Sequence, residues 1–184
     1  VQILDKDQIK KKYPIVNTDE VLGGILMPND GAADPSGVTH MLAKAAKTEG
    51  AKIYEKSPVK EIITKNRRIS GVKVDDHTID CEYIVLASGM WSRQIGEKAG
   101  VSIPLYPAEH FYIITEPIKD LSSNLPVIRD FDNRTYIKED AGKILVGIFE
   151  GNSIPAWNKT NVVPEDFSFG EFQENFEHFE PYLN

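Results

Sequence analysis

The chain changes its pattern of apolar and polar positions near Gly100. Before that point, apolar residues recur at helical spacing in DPSGVTHMLAKAAKTEG, which opens with a cap-like Asp-Pro-Ser. The pattern predicts a helix that starts at about Asp34 and that Gly50 ends. AKIYE then alternates as a strand does, and SPVKEIITKNRRISGVKVDD predicts two strands joined by a turn at residues 65–68.

A continuous apolar run follows at residues 83–88, within CEYIVLASG. Such a run is typical of a central strand that is covered on both faces of a sheet. WSRQIGEKAG then predicts a short helix closed by Gly100. Up to Gly100 the sequence therefore predicts a helix and parallel-type strands, as in an open α/β sheet.

After Val101 the apolar positions alternate over longer segments, HFYIITEPI, RTYIKED and KILVGIFEG. Turns separate these segments at Pro117, at residues 130–133 and at residues 141–142. This arrangement predicts an antiparallel sheet with one packed face and one available face. From Pro164 onward the sequence is rich in acids and phenylalanine and predicts an amphipathic helix.

Composition and charge restrict the class of partner. The 184 residues suffice for one sizeable core, or for one domain and part of a second. With 21 basic and 28 acidic side chains the formal charge is -7, so nucleic acid is not expected as a partner. The single cysteine, Cys81, cannot form an internal disulfide, and it indicates a reducing compartment.

Neither a leader nor a membrane segment is expected from the sequence. VQILDKDQIKKKYP, at the start, lacks the apolar core of a secretory signal, and no run approaches the ~20 apolar residues of a membrane span. The chain begins without Met and ends at HFEPYLN, within a helical pattern. We therefore expect a fragment of a longer protein.

The string VLASGMWS at residues 85–92 is the first candidate for chemistry. A buried strand that ends in Ser-Gly lets the backbone come close to a planar ligand, because Gly89 has no side chain. The same strand-glycine-helix order is common in α/β proteins, so the string alone favours a structural turn. Other segments of the chain change that balance.

Seven segments, in order and at plausible spacing, resemble the flavin-dependent dimethylglycine and sarcosine dehydrogenase family: GGILMPNDGAADP, KSPVKEI, IVLASGMWS, PAEHFYIITEPI, LPVIRD, YIKEDAGKILVGIFE and PEDFSFGEFQENFEHFEP. The family belongs to the flavoproteins shaped like D-amino acid oxidase. The resemblance implies a mixed α/β (α+β) fold, with part of a Rossmann-like FAD domain and a mainly antiparallel substrate-domain sheet. It assigns residues 1–33 to a lead-in and the start of the substrate lobe, 34–100 to the FAD domain, and 101–184 to the antiparallel substrate domain with an acidic helical tail.

The resemblance implies four cofactor-binding positions, Val59, Ser88, Gly89 and Trp91. The backbone of Val59 would hold the adenine end of FAD, and the other three would lie along the cofactor at the strand-to-helix turn. Valine in a strand is usually a core residue, so only main-chain contacts would distinguish a binding role. The G-x-G-x-x-G loop for the FAD pyrophosphate is expected before residue 1, so the fragment alone should bind FAD poorly.

Two catalytic positions are implied in the same way, His110 and Tyr136, which match positions that face the flavin ring and the substrate amine. Oxidation of an N-methyl amine needs a free nitrogen lone pair. An imidazole, with an ordinary pKa of ~6.5, can take the proton of the amine while a tyrosine orients it or passes the proton on. Strand alternation places His110, Tyr112 and Ile114 on one face, and we expect His110 to lie within reach of Tyr136.

The substrate carboxylate needs a cation or hydrogen-bond donors, and Arg129, Tyr112 and the Tyr136 hydroxyl are the candidates. Each has an ordinary alternative, since Arg129 beside Asp130 could form a surface ion pair and Tyr112 could serve packing alone. The other histidines, His40, His77 and His178, are expected in solvated or capping roles, and no metal site is expected.

The implied function is FAD-dependent oxidative demethylation of dimethylglycine or sarcosine, by hydride transfer to the flavin. Its electron acceptor would be oxygen or an electron-transfer flavoprotein, and tetrahydrofolate would bind in a downstream domain. The implied compartment is the cytoplasm, or the mitochondrial matrix in a eukaryote. A non-catalytic regulatory subunit of the same superfamily remains the alternative function, and retention of His110 and Tyr136 argues against it.

Overall fold

The computed structural model describes residues 1–183 as an α+β structure. The elements are β1 (Gln2–Leu4), α1 (Lys6–Lys12), β2 (Gly24–Leu26), α2 (Pro35–Thr48), β3 (Val59–Lys65), β4 (Arg68–Val74), β5 (His77–Asp80), α3 (Ser92–Glu97), β6 (Tyr112–Ile114), β7 (Ile128–Asp130), β8 (Thr135–Asp140), β9 (Lys143–Ile148) and α4 (Phe176–Phe179), with 3-10 turns at Gly89–Trp91 and Glu180–Tyr182. They form two compact units, residues 1–41, 110–153 and 174–183 in the first, and residues 42–109 and 154–173 in the second.

The first unit is built on a four-stranded antiparallel sheet with the strand order β6-β9-β8-β7. The hairpin between β8 and β9 turns at Ala141 and Gly142, whose φ angles are +52° and +81°. Positive φ at both positions is the condition for the tight turn that matches strand twist. This turn was predicted from the sequence, and it sets the register of the two central strands.

One face of this sheet carries the core of the first unit. Ile144 and Ile148 are 5% and 0% exposed, and Thr135, opposite Ile148, is also buried. Tyr13 and Phe179 are also buried in this unit. Burial raises the pKa of the Tyr13 hydroxyl, with a smaller contribution from the charge of Glu139, two positions before the turn.

The second unit contains the three-stranded antiparallel sheet β3-β4-β5. The predicted turn between its first two strands lies at Asn66 and Arg67, which both have positive φ. Helix α3 is joined to the later part of the unit by Gln94, whose amide accepts from Val163 N–H and donates to Val163 O. The buried apolar residues of this unit are Ile62, Ala156 and Val163.

Two predicted helices are confirmed. Helix α2 follows Asp34, whose carboxylate accepts from the backbone N–H groups of Ser36 and Gly37, and Gly50 ends the segment at φ +92°. The second helix, α3, ends before Gly100 at φ +71°. Within residues 1–183 no helix is long and apolar enough to cross a membrane.

The predicted central strand at 83–88 is wrong for the structure described here. All strand pairs within residues 1–183 are antiparallel, and none includes residues 83–88 or 51–55. Tyr83 and Val85 are 86% and 90% exposed. A strand needs neighbouring N–H and C=O groups and apolar cover, and these residues have neither within the described chain.

The predicted amphipathic helix after Pro164 is mostly absent. Regular structure there is limited to α4 and the following 3-10 turn. Asn175 caps the short helix, because its side-chain oxygen accepts from the His178 N–H. The acids and phenylalanines before Asn175 lie in irregular backbone, where Phe167 and Phe172 pack on Trp157 instead of on a helix face.

Candidate functional site

A row of four residues crosses the four-stranded sheet of the first unit. Tyr112 pairs with Gly147, Gly147 with Tyr136, and Tyr136 with Arg129. Residues that lie directly opposite one another in a sheet share a face. The row therefore lies on the face opposite to the core positions Ile144 and Ile148, and it is the exposed face on which three of the predicted site residues meet.

His110 and Tyr136 come together on this face. His110 Nε2 lies 3.1 Å from the Tyr136 hydroxyl oxygen, and the two rings are stacked at 5.8 Å with an interplanar angle of 5°. His110 itself precedes β6 and is not a strand residue. His110 and Tyr136 are therefore as close as the alternation of HFYIITEPI predicted, although His110 lies before the strand and not within it.

Phe149 belongs to the same group, and the sequence analysis did not single it out. Its ring centroid lies 5.7 Å from that of His110 and 5.3 Å from that of Tyr136. The guanidinium carbon of Arg129 lies 4.2 Å from the same Phe149 centroid, a cation–π contact. Phe149 is two positions beyond Gly147, so the alternation of KILVGIFE could have assigned it to this face.

Arg129 does not form the surface ion pair with Asp130 that was the alternative to substrate binding. The Asp130 carboxylate instead accepts from the backbone N–H groups of Asp132 and Asn133 and from the Asn133 side chain. The hydrogen bond from the Asn133 N–H is the main cause of the lowered pKa of Asp130. No carboxylate of the described residues forms an ion pair with Arg129, whose guanidinium is therefore available to an anionic ligand.

These side chains line a shallow cleft of about 230 Å³, formed by His110, Val127, Arg129, Tyr136 and Phe149. Tyr112 does not line it, and its side chain is 49% exposed on the same face. Burial raises the pKa of Tyr136, and the charges of Tyr112 and Glu150 raise it further. Tyr136 therefore keeps its proton throughout the neutral range and can donate it to His110 Nε2.

The chemical capacity of the cleft follows from this arrangement. It offers a protonated phenol in contact with an imidazole, a free guanidinium, and an aromatic wall between them. An imidazole and a phenol can accept and relay one proton, and a guanidinium can hold a carboxylate through paired hydrogen bonds. The cleft can therefore bind a small anionic group and accept a proton beside it.

Three predicted cofactor residues lie together at one turn of the second unit. Ser88 precedes the 3-10 turn Gly89–Trp91, and Gly89 has φ +53°. A Cβ at Gly89 would meet nothing within 4 Å, so the space over the turn is open to a ligand. The Trp91 indole N–H donates to Pro164 O at 2.9 Å and can offer a ligand only its ring. The turn therefore leaves room for a ligand beside Gly89.

Val59 lies apart from that turn, as the first residue of β3. Its carbonyl accepts from Lys98 Nζ at 3.2 Å, and it pairs with Val74. The backbone of Val59 was expected to bind the adenine end of FAD, but its carbonyl already accepts a hydrogen bond within the protein. A cavity of about 320 Å³ in the second unit, between residues 93–107 and 155–163, is lined by none of the four predicted cofactor residues.

The other histidines differ in their surroundings. His40 and His77 are exposed, as expected. His178 is not solvated, because it packs against Phe111 at 4.9 Å between ring centroids and its Nε2 lies 3.6 Å from Glu150 Oε1. Within residues 1–183 no group of three or more His, Cys, Asp or Glu residues is placed to hold a metal ion.

Comparison with known proteins connects these features to one family. The sequence model described as "DAO: FAD dependent oxidoreductase" matches residues 1–183. A 4-methylaminobutanoate oxidase (formaldehyde-forming) of Paenarthrobacter nicotinovorans is 36% identical over 97% of the chain and 21% of its own length. The human mitochondrial sarcosine dehydrogenase is 33% identical over 98% of the chain and 20% of its own length.

A relative that is named as a regulatory subunit, and not as an oxidoreductase, is nearly as similar. The mouse mitochondrial pyruvate dehydrogenase phosphatase regulatory subunit is 32% identical over 100% of the chain and 21% of its own length. Among solved structures, L-proline dehydrogenase from P. horikoshii superposes with a TM-score of 0.78 at 28% identity, over 99% of this chain and 46% of that one. The chain thus spans about a fifth of the length of these curated relatives.

Three findings agree on the family. The family model matches residues 1–183, the fold is shared with a solved amino acid dehydrogenase, and a sarcosine dehydrogenase is homologous over nearly the whole chain. The family also implies FAD as the cofactor. The chain belongs to the DAO family of FAD-dependent oxidoreductases.

Proposed function

We propose that this chain is part of a flavoenzyme that oxidatively demethylates small N-methyl amino acids, such as sarcosine or dimethylglycine. The observation that carries the proposal is the 3.1 Å contact between His110 Nε2 and the Tyr136 hydroxyl, in a cleft that also contains the unpaired Arg129. The names of the relatives, a sarcosine dehydrogenase and a 4-methylaminobutanoate oxidase, support the same substrate class. Both names describe carboxylates with an N-methyl amine.

Each residue of the cleft has a role in this proposal. Arg129 binds the substrate carboxylate, and its contact with Phe149 holds the guanidinium over the ring. The substrate ammonium donates its proton to the Tyr136 oxygen while the Tyr136 hydroxyl passes its own proton to His110 Nε2. This transfer leaves the nitrogen lone pair free. Bound FAD supplies the acceptor for the hydride equivalent that the methyl carbon then loses.

The cofactor contacts are proposed separately for the second unit. The open turn at Ser88, Gly89 and Trp91 lies along FAD, with the Trp91 ring as an apolar surface. Val59 contributes through the main-chain groups that Lys98 does not use. On this basis residues 34–100 form part of the FAD domain and residues 101–184 the substrate domain.

A non-catalytic regulatory subunit is the second candidate, because a relative with that name is 32% identical over the whole chain. Such a protein has no need of a proton relay or of a free guanidinium in one cleft. Presence of the His110, Tyr136 and Arg129 group therefore favours the enzyme. Oxygen or an electron-transfer flavoprotein would be the acceptor, and tetrahydrofolate would bind to a further domain of the whole protein.

The test is anaerobic reduction of the flavin in the full-length protein. Sarcosine or dimethylglycine should bleach the flavin absorbance, and dimethylamine, which lacks the carboxylate, should do so much more slowly. Loss of bleaching in His110→Asn, with the flavin still bound, would connect the reaction to the cleft. A full-length protein that binds no flavin, or whose flavin no N-methyl amino acid reduces, would favour the regulatory subunit.

A further inference from the structure

The path of the Tyr136 side chain raises a steric question that the proposed relay does not answer. Tyr136 lies on β8 and His110 lies two residues before β6, while β9 runs between these two strands. Neighbouring strands are ~4.8 Å apart, so two spacings amount to roughly 10 Å. The tyrosine can meet the histidine only if its ring lies across β9 instead of standing upright on the sheet.

Gly147 is the β9 residue over which the ring must pass. It is directly opposite Tyr136 on one side and Tyr112 on the other, and so it belongs to the same face. A Cβ built on Gly147 would overlap three atoms of Tyr136, namely Cε1, Cζ and the hydroxyl oxygen. These are the atoms at the reactive end of the side chain. The space that a side chain at 147 would fill is occupied by the phenol.

Backbone conformation does not explain this glycine. Gly147 is a regular strand residue and is not among the residues with positive φ, so an alanine would fit its backbone. The nearest obstacle is also not main chain, because the three atoms closest to such a Cβ all belong to the Tyr136 side chain. Glycine in a strand interior weakens the strand, and it often marks a place where another group approaches closely.

We infer that Gly147 is the positioning residue for the Tyr136–His110 pair. Its missing side chain allows the tyrosine ring to lie flat across β9, stacked with the His110 ring and in contact with Phe149. Any larger residue at 147 lifts the ring and separates the hydroxyl from His110 Nε2. This inference rests on the proposed function for its catalytic consequence, although the steric relation itself does not depend on that function.

The experiment is a double-mutant cycle in the full-length, FAD-loaded protein, with Gly147→Ala, Tyr136→Ala and the double variant. The rate of flavin reduction by sarcosine or dimethylglycine should fall about tenfold or more in Gly147→Ala. In the Tyr136→Ala background the same substitution should change the rate less than about twofold, because no ring remains to be displaced. Gly31→Ala is the matched control, since a Cβ there meets nothing within 4 Å, and it should leave the rate unchanged.

A crystal structure of the Gly147→Ala protein gives a second readout that does not depend on activity. The Tyr136 hydroxyl should lie out of hydrogen-bonding distance of His110 Nε2. An unmoved ring, or an equal loss of rate in both backgrounds, would overturn the inference. If Gly147→Ala does not fold but the double variant does, the clash with Tyr136 is supported. If neither variant folds, the strand itself requires glycine at 147, and the inference is wrong. A wild-type flavin that no N-methyl amino acid reduces would refute the proposed function and leave the structural readout valid.

Discussion

Substitution of Arg129 by leucine separates substrate binding from proton transfer. The guanidinium has no ion-pair partner among the described residues, and it lies 4.2 Å from the Phe149 centroid. Hydrogen bonds to a charged group contribute about 1.5–3 kcal/mol, which corresponds to a factor of roughly 10 to 150 in affinity. Arg129→Leu should therefore raise the KM for sarcosine by about that factor. The rate at saturation should change little, because among the described residues no hydrogen bond joins Arg129 to Tyr136 or to His110.

The assay is anaerobic flavin reduction over a range of substrate concentrations, in full-length wild type and variant. Dimethylamine, without a carboxylate, serves as the internal control, and Arg129→Leu should leave its weak reaction unchanged. Lys119→Leu, a charge deletion on a residue that does not line the cleft, is the matched control for lost positive charge. The reasoning is refuted if Arg129→Leu binds sarcosine as the wild type does, or if it loses the reactions of sarcosine and dimethylamine equally.

Three further substitutions have distinct expected outcomes. Tyr136→Phe keeps the ring and removes the hydroxyl, so flavin reduction should slow about tenfold or more near neutral pH. Because the pKa of Tyr136 is raised, any decline in rate due to its ionisation should lie above pH ~10, and this decline should vanish in the variant. Phe149→Leu should weaken sarcosine binding severalfold in the same assay by releasing the Arg129 guanidinium. Burial raises the pKa of Tyr13, so the folded state holds this proton more tightly than the unfolded chain does, and the free energy of unfolding falls as the pH rises above ~10 towards the folded-state pKa. Tyr13→Phe, which also removes a buried hydroxyl without a partner, should raise the Tm at pH 7 and flatten its decline above pH 10, and an unchanged alkaline decline would contradict this.

Local turn chemistry and strand alternation predicted much of the first unit. The hairpin turn at Ala141 and Gly142 follows from the glycine, which tolerates positive φ, and the shared face follows from period-two alternation. These two features were enough to bring His110 toward Tyr136. Both depend on residues that are neighbours in sequence or are joined by a short turn, so single-sequence patterns contain the information.

Long-range pairing was the part that the sequence did not contain. The apolar run at 83–88 has the composition of a central strand, but a strand exists only beside a partner, and no pattern within the run identifies one. The predicted hairpin turn and period-two alternation already place Gly147 and Phe149 on the face of Tyr136. Their importance was missed because it depends on His110, which lies next to a third strand. The Arg129–Asp130 ion pair does not form, because the Asp130 carboxylate accepts hydrogen bonds from the turn that follows it.

The most direct test of the account is the rate of flavin reduction in the full-length His110→Asn protein, measured anaerobically by stopped flow with sarcosine and with dimethylglycine. In the proposed relay, His110 Nε2 accepts the proton of the Tyr136 hydroxyl, which lies 3.1 Å away. The variant should bind FAD as the wild type does, and its flavin should be reduced roughly 10²-fold more slowly or slower still. An unchanged rate of reduction with both substrates would contradict the account and make His110 a packing residue of the sheet.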